Sequence, residues 1–465
     1  EQRKRQRTET AETVKEEARL AAENLDRRRQ EVERDFATIS TGMRDADLSG
    51  KPDEPPPPPS LQQESSQLLA PILTDLRELT SKPRLLQQLR GEIDRLQGQV
   101  AQADRALAEI DGLLAQVPAS KSAGGTLRAI AATKGEAFYR GEVAQALDAF
   151  AREHGGQLRA TDLAAHQVQW VDTIHTGFAG HTVHELPPNG QGIAALMALG
   201  MLEQLDIGRF GPDSVEGNHL QIEAIKLAFA DTYRWVADER FMTEVRAADL
   251  LDPAYLRERA ALIDPKRAID PGAGHPPRGG TVYLNAADAQ GRMVSFIQSN
   301  YLGFGSGVVV PGWGVSLQNR GHGFTLQDGH PNQVAPGKRP FHTIIPAFLT
   351  RDGKPVMGFG VMGANMQPQG HVQTLVRMLV HGQQPQAACD APRWKWGQGL
   401  DVDFESTMAP ELREGLKALG HRFEPAADAY LDFGSGQFIA RLSDDLQDGY
   451  AAASDSRRDG QAVGY

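Results

Sequence analysis

A threonine that directly follows two glycines is the residue with the clearest chemical potential in the sequence. Gly279 and Gly280 precede Thr281, and Thr281 opens the run TVYLNAA, whose β-branched and aromatic residues are typical of a strand. Because glycine has no Cβ atom, the hydroxyl of Thr281 could attack the Gly280–Thr281 peptide bond. Cleavage there would leave a free α-amine, with an unperturbed pKa of about 7.7–8.0, as general base for that hydroxyl. Taken alone, the dipeptide favours an ordinary hairpin after a glycine loop.

The residues around this junction predict the elements that would present it. Strand-like alternation over residues 281–286 is followed by a turn at 288–291, and strand composition resumes at 293–297. The glycine-rich stretch 303–307 would let backbone approach a neighbour closely. Upstream, proline and glycine over residues 271–280 predict a loop before Thr281.

Three further segments predict strands of the same domain. Residues 178–186 and 343–349 have strand composition, and the continuous apolar run 356–362 is typical of a buried strand that leads into Gly363.

Nine ordered blocks of the sequence carry a resemblance to a known family. From Thr281 onward they are TVYLNAADAQGRMVSFIQSNYLGFGSG, LQNRGHGF, PGKRPFHTIIPAF, GFGVMGANMQPQGHVQ, DAPRW and SDSRRDGQAVGY, and upstream they are FYRGEVAQAL, LPPNGQGIAAL and HLQIEAIKLAFAD. Over residues 124–465 these blocks resemble the gamma-glutamyltranspeptidase family, which belongs to the N-terminal nucleophile hydrolases. The upstream blocks are similar to the C-terminal part of that family's large subunit, and the others to its small subunit.

The resemblance implies a self-processing precursor and assigns the catalytic residues. Cleavage between Gly280 and Thr281 would make Thr281 the nucleophile, and Ser299 stands where the family has a second hydroxyl that activates the threonine. Gly363 lies in the loop that supplies backbone N–H groups to the oxyanion. Ala364 replaces the second glycine of the usual pair, and alanine keeps the N–H but narrows the allowed backbone angles.

The expected substrate-binding positions depart from the family pattern. Gly323 stands where the family has the acidic residue that holds the α-amino group of a gamma-glutamyl substrate. Tyr301, next to Asn300, stands at a family asparagine, and His342 and Thr343 replace a serine pair.

Arg320 and two histidines complete the candidate substrate site. Arg320 could pair with a substrate carboxylate through its planar fork, although a surface role is as consistent with the sequence. The spacing of His322 and His342 matches no metal motif, so structural or substrate-contacting roles are expected and no metal or cofactor is predicted. Besides Arg320, the predicted substrate-binding residues are Asn300, Tyr301, His342 and Thr343.

The predicted architecture is α+β, in four parts. Residues 1–118 predict a helical, coiled-coil region with a Pro-rich spacer at 55–59, and residues 119–125 predict a linker. Residues 126–280 correspond to the C-terminal part of the large subunit and 281–465 to the small subunit. The resemblance implies an αββα sandwich that is incomplete, because about half of the large subunit has no counterpart. The coiled coil itself weakly resembles the periplasmic part of a large mechanosensitive channel.

Composition narrows the classes of partner. The net charge of −11 over 465 residues argues against nucleic acid, and a single cysteine, Cys389, allows no internal disulfide. We expect no membrane span and no signal peptide in the given chain, and a cytoplasmic or periplasmic location. The expected partners are a small acyl amide of gamma-glutamyl or glutaryl type with water or an amine as acceptor, and a second copy through the coiled coil. The competing hypothesis is an inert chimera in which the coiled coil mediates oligomerisation.

Overall fold

The computed structural model of the chain describes residues 123–271, 280–423 and 433–464. The chain divides into two units, Glu1–Gly112 and Leu113–Tyr465, and every described residue belongs to the second. The predicted coiled coil and its Pro-rich spacer therefore lie outside the described residues and stay predictions. No helix in the described part of the chain has the length and apolar character needed to cross a membrane.

Helices and strands alternate through the described residues. The helices are Ala123–Thr133 (α1), Glu136–Tyr139 (α2), Glu142–Glu153 (α3), Ala160–Ala165 (α4), Gly192–Leu202 (α5), Val215–Trp235 (α6), Ala247–Leu250 (α7), Pro253–Ala260 (α8), Met366–Leu375 (α9), Pro385–Asp390 (α10) and Pro410–Ala418 (α11). The strands are Ile174–Phe178 (β1), His181–Glu185 (β2), Gly280–Ala287 (β3), Met293–Tyr301 (β4), Val309–Val310 (β5), Val315–Ser316 (β6), Ala347–Arg351 (β7), Lys354–Met362 (β8), Trp394–Trp396 (β9), Val402–Phe404 (β10), Ser435–Arg441 (β11) and Tyr450–Ser454 (β12).

A six-stranded antiparallel sheet, in the order β1-β2-β7-β8-β11-β12, forms the centre of the fold. Helix α5 contacts β1 and β2, α9 contacts β8, and α6 packs on α5. Every residue of α5 is buried, which explains why its sequence is apolar all round rather than amphipathic. The main apolar core lies between these helices and the sheet.

The hairpin of β3 and β4 packs on β8 and β11 as a second, two-stranded sheet. Alternation along β8 separates its two faces. A Cβ atom at Gly360 would lie 2.6 Å from the ring of Tyr283 in β3, so only glycine admits the hairpin this closely. Phe359 and Val361 contact α9 instead, since the Phe359 and His371 rings are 5.1 Å apart and Val361 packs against Gly370. The result is a helix layer, a sheet and a smaller β layer, which confirms the α+β class.

The outer face of this hairpin is apolar and exposed. Alternate residues of both strands point away from β8, and their side chains are between 46% and 65% exposed: Val282, Leu284, Val294 and Phe296. These values contrast with the inner face, where Tyr283 is 4% exposed. The second β layer is thus covered on one side only within the described part of the chain.

The structure refines several boundaries expected from the sequence. Residues 123–125, placed in the linker, form the first turn of α1, where Ala123 packs against Gly314 and Thr126 Oγ1 donates to the Trp313 carbonyl at 2.6 Å. An expected single strand at 178–186 is instead a hairpin of β1 and β2, with positive φ at Ala179 and Gly180. An expected strand at 343–349 begins only at Ala347, because the preceding residues bond to the loop 189–191.

Candidate functional site

The backbone of Thr281 lies at an irregularity of the β3–β4 pairing. Gly280 pairs with Tyr301 and Val282 pairs with Gln298, so Thr281 faces two residues, Ser299 and Asn300. Such a bulge bends a strand and redirects its side chains. The expected hairpin is confirmed, and the predicted nucleophile and the predicted activating hydroxyl belong to directly opposed segments of it.

Ser299 is held within this bulge by its neighbours. Its Oγ accepts a hydrogen bond from the backbone N–H of Tyr301 at 2.8 Å, and its carbonyl accepts one from Nη2 of Arg320 at 3.4 Å. Tyr301 has a φ of 82°, in the left-handed region that non-glycine residues rarely occupy. The carbonyl of Asn300 accepts from Asn319 N at 3.2 Å, which fastens β4 to the turn that carries Arg320.

Three polar atoms near the end of β4 are buried without a hydrogen-bond partner. They belong to residues selected from the sequence: Oη of Tyr301, Nη1 of Arg320 and Nδ1 of His342. The guanidinium carbon of Arg320 lies 5.7 Å from the centre of the Tyr301 ring. Buried polar groups are normally paired, so these three atoms mark a place where a polar ligand would complete the structure.

The electrostatics of these groups favour an anion. Burial raises the pKa of Tyr301 to about 12, which keeps its hydroxyl neutral and able to donate. Burial, together with the charges of Arg320 and Arg339, lowers the pKa of His342 to about 3, so its ring is neutral at physiological pH. Burial also lowers the pKa of Arg320, and a guanidinium group stays charged in proteins. Among the described residues, no carboxylate forms an ion pair with Arg320.

Gln191 connects the other side of the candidate site. Its Nε2 donates at 2.8 Å to the carbonyl of Thr343 and, at the same distance, to the carbonyl of Ala364. Its backbone N–H donates to the carbonyl of His342 at 3.1 Å. One side chain thus ties the His342–Thr343 segment to the loop that follows β8. Oε1 of Gln191 is buried and unpartnered.

The loop of Gly363 and Ala364 has its backbone N–H groups available. Gly363 has a φ of 118° and Ala364 a φ of 52°. The carbonyls of Gly363 and Ala364 accept from Met366 and Gln367 in the first turn of α9, at 2.9 and 3.1 Å. Since the N–H of a trans peptide points opposite to its carbonyl, the Ala364 N–H points away from α9. Neither N–H group donates a hydrogen bond to an atom of residues 123–271, 280–423 or 433–464.

Gly323 leaves no room for the acidic side chain that the family resemblance led us to expect at this position. A Cβ atom there would fall inside the van der Waals distance of the Phe341 carbonyl oxygen. The carbonyl of Gly323 accepts from Nδ2 of Asn332 at 2.6 Å, which holds the turn in this place. The local packing therefore requires a residue without a side chain at this position. The ring of His322 lies near that of Tyr301, tilted by 31°, with ring centres 6.0 Å apart.

Of the predicted residues, the structure groups Ser299, Asn300, Tyr301 and Arg320 at the end of β4, and joins Thr343 to Ala364 through Gln191. Sequence reasoning missed three contacts of this site: Gln191, Tyr233 and Asn365. Nδ2 of Asn365 donates to the Tyr233 hydroxyl at 2.6 Å. The block LPPNGQGIAAL marked the segment that contains Gln191, but no local pattern indicated its contacts with Thr343 and Ala364.

A buried cluster on α6 has the residue types of a metal site. Ligand atoms of His219, Glu223 and His421 lie within 4.8 Å of one another. However, Lys226 Nζ lies 2.7 Å from Glu223 Oε1 and also donates to the Ile269 carbonyl. His219 Nδ1 and His421 Nε2 are hydrogen bonded to each other at 2.8 Å. The Lys226 ammonium group and the hydrogen bonds within the cluster already occupy the atoms that would bind a metal ion. We therefore interpret the cluster as a structural network.

Comparison with known proteins gives consistent relatives. Residues 114–465 match the profile of the family described as Gamma-glutamyltranspeptidase. The chain is 35% identical over 344 residues to the glutathione hydrolase-like YwrD proenzyme of Bacillus subtilis, and 36% identical over 346 residues to the oxamate amidohydrolase proenzyme of Klebsiella pneumoniae. Each match covers 73% of this chain and 64% of the relative.

A solved structure is also similar. The crystal structure of cephalosporin acylase from Bacillus halodurans matches with a TM-score of 0.69 and 46% identity, over 74% of this chain and 62% of that chain. The chain thus spans less than two thirds of the length of these relatives.

Proposed function

The chain belongs to the gamma-glutamyltranspeptidase family, and on this premise we propose a self-processing threonine amidohydrolase or acyltransferase. Its preferred acyl groups would carry a free carboxylate and no ammonium, as glutaryl does. Thr281 is the proposed nucleophile, Ser299 its activating hydroxyl, and the N–H groups of Gly363 and Ala364 the proposed oxyanion donors. Water is the proposed acceptor, with an amine as the alternative.

The proposed reaction proceeds in two acyl transfers. The hydroxyl oxygen of Thr281 attacks the amide carbon while its proton moves to the α-amine of the same residue. The tetrahedral intermediate collapses, the C–N bond breaks, and the leaving amine takes that proton. Water then attacks the ester, the acid leaves, and the Thr281 oxygen regains a proton. Self-processing uses the same hydroxyl against the Gly280 carbonyl: the C–N bond breaks as the ester forms, which frees the α-amine of Thr281. Water then hydrolyses this ester, releasing the Gly280 carboxylic acid and regenerating the Thr281 hydroxyl.

The guanidinium of Arg320 has no carboxylate partner among the described residues and its Nη1 atom is buried without a hydrogen bond, and this observation supports the acyl preference. A partly buried positive charge without a carboxylate partner is costly, so an anionic ligand would stabilise it. Tyr301 and His342 offer further unpaired polar atoms beside it. A substrate carboxylate would accept from the Arg320 fork and from the Tyr301 hydroxyl.

The same site disfavours a gamma-glutamyl group, which carries an ammonium as well as a carboxylate. Gly323 provides no acid for the ammonium, and the Phe341 carbonyl excludes a side chain there. Arg320 would repel the ammonium. One relative supports this preference, since oxamate is an amide with a free carboxylate and no ammonium.

A paired assay with glutaryl and gamma-glutamyl anilides on one preparation tests the acyl preference. We expect at least a tenfold higher kcat/KM for the glutaryl compound. Arg320→Ala should lower that value by about thirtyfold to five-thousandfold, since truncating one member of a desolvated charge pair costs about 2–5 kcal/mol. Arg413→Ala, on the outer helix α11, is the matched control and should change nothing. A preference for the gamma-glutamyl anilide would refute the proposed substrate class.

Self-processing is tested on a denaturing gel. The purified chain should give two fragments, with threonine at the new N-terminus. Thr281→Ala should abolish cleavage and hydrolysis, Thr281→Ser should keep some of both, and Ser299→Ala should slow them. Processing of the Thr281→Ala chain at the same bond would refute the nucleophile, and an unprocessed wild-type chain would favour the inert chimera.

A further inference from the structure

A buried glutamate–histidine pair lies behind the proposed oxyanion loop, and the proposed chemistry does not use it. Glu185 ends β2 and His371 lies in α9, and both side chains are fully buried. Nδ1 of His371 lies 2.7 Å from Oε1 of Glu185. Gly192 makes room for this carboxylate, because a Cβ atom there would lie 2.7 Å from Cβ of Glu185. Buried glutamates are rare, so this one calls for a physical explanation.

The second ring nitrogen of His371 fixes the direction of the hydrogen bonds. The backbone N–H of Val361 donates to Nε2 at 3.2 Å, so Nε2 carries no proton. In the neutral ring the proton is then on Nδ1 and is donated to Glu185. Two hydrogen bonds in series thus connect β2, through α9, to the end of β8.

This end of β8 lacks a strand on one side. Pairing of β8 with β7 stops at Phe359, which faces Ala347, whereas pairing with β11 continues to Met362. The N–H of Val361 would be left without a partner at the side where β7 has ended. His371 supplies the acceptor that a strand carbonyl would otherwise provide, as buried backbone groups require.

We propose that Glu185 and His371 are positioning residues that fix the end of β8 and so aim the N–H groups of Gly363 and Ala364. Gly363 follows Val361 by two residues, and α9 begins three residues after Gly363. The pair therefore holds the loop from both sides, through Val361 in the strand and through His371 in the helix. The inference rests on the proposed function, because it explains how the oxyanion donors proposed there are held in position.

The kinetic test separates positioning from general stability. His371→Leu removes both hydrogen bonds and should lower kcat by tenfold to a hundredfold, with KM changed by less than about twofold, since oxyanion donors act mainly in the transition state. His371→Gln, with one acceptor and one donor, should recover most of the loss. Val372→Ala, in the same buried turn of α9, is the control and should lower stability without lowering kcat.

Hydrogen exchange gives a readout that does not depend on turnover. The amide of Val361 should exchange at least tenfold faster in His371→Leu than in wild type, and should stay protected in Val372→Ala and in Glu185→Gln, where an amide oxygen still accepts from Nδ1. If the wild-type chain proves inactive, this comparison still decides the inference. Unchanged protection of Val361 in His371→Leu, or a kcat loss no larger than in Val372→Ala, would overturn it. Should His371→Leu fail to fold, the same comparison is made with His371→Asn, whose shorter side chain cannot reach both partners.

Discussion

At the scale of single residues, the proposed substrate preference depends on a position that has no side chain. Gly323 lies so close to the Phe341 carbonyl that its neighbours exclude any larger residue. A missing acid could have been a simple substitution that one mutation restores. The packing indicates instead that the turn of Arg320–Gly323, which Asn332 holds in place, has no room for a side chain at Gly323.

Substitutions in this turn should therefore act through sterics before charge. We expect Gly323→Ala and Gly323→Asp to lower the free energy of unfolding by similar amounts, about 1–3 kcal/mol, because both place a Cβ atom against the Phe341 carbonyl. Denaturant unfolding followed by circular dichroism measures this. Gly321→Asp is the control, since its Cβ atom would meet nothing within 4 Å. A stable Gly323→Asp protein that prefers gamma-glutamyl substrates would contradict the argument.

At the scale of elements, the sequence predicted what depends on local pattern and missed what depends on distant partners. The hairpin of β3 and β4 followed from alternation and a turn, and β8 from a continuous apolar run. The start of β7 was predicted too early because His342 and Thr343 form hydrogen bonds with the loop 189–191, and strand pairing begins only at Ala347. Gln191 and the Glu185–His371 pair act across more than 150 residues, and no local pattern encodes such contacts.

Helix α6 contains a buried ion pair whose removal can be tested in two steps. Lys226→Met would leave the carboxylate of Glu223 buried without its partner, and we expect a loss of about 3–5 kcal/mol in the free energy of unfolding. Adding Glu223→Gln should restore at least half of this loss by removing the unpaired charge. The exposed pair of Arg246 and Asp249 is the control, and Arg246→Met should cost less than about 1 kcal/mol.

Urea unfolding of the single and double variants distinguishes this account from a packing effect. Equal stability of the single and the double variant would show that the loss in Lys226→Met comes from altered packing and not from the unpaired charge of Glu223. The pair also holds both backbone groups of Ile269, since Glu223 Oε2 accepts from its N–H at 3.1 Å. Its loss would loosen the chain eleven residues before Gly280.

At the scale of the whole molecule, the described part of the chain joins two β layers of unequal size. The six-stranded sheet is packed by helices and carries the proposed oxyanion loop at the end of β8. The hairpin has only two strands and carries Thr281. The family resemblance predicted both layers. It did not predict the exposed outer face of the hairpin, because exposure depends on what packs against that face.

Because the hairpin of β3 and β4 is narrow, we expect it to open at a lower temperature than the six-stranded sheet. A two-stranded sheet with one apolar face open to water has fewer contacts to hold it than a six-stranded one, and local opening follows the weakest part. On heating, activity should therefore be lost before the protein unfolds globally. The midpoint of activity loss should lie several degrees below the midpoint of the far-ultraviolet circular dichroism transition. Brief heating and rapid cooling should restore activity, as long as the larger sheet has stayed folded. Coincident midpoints would mean that the two layers open as one unit.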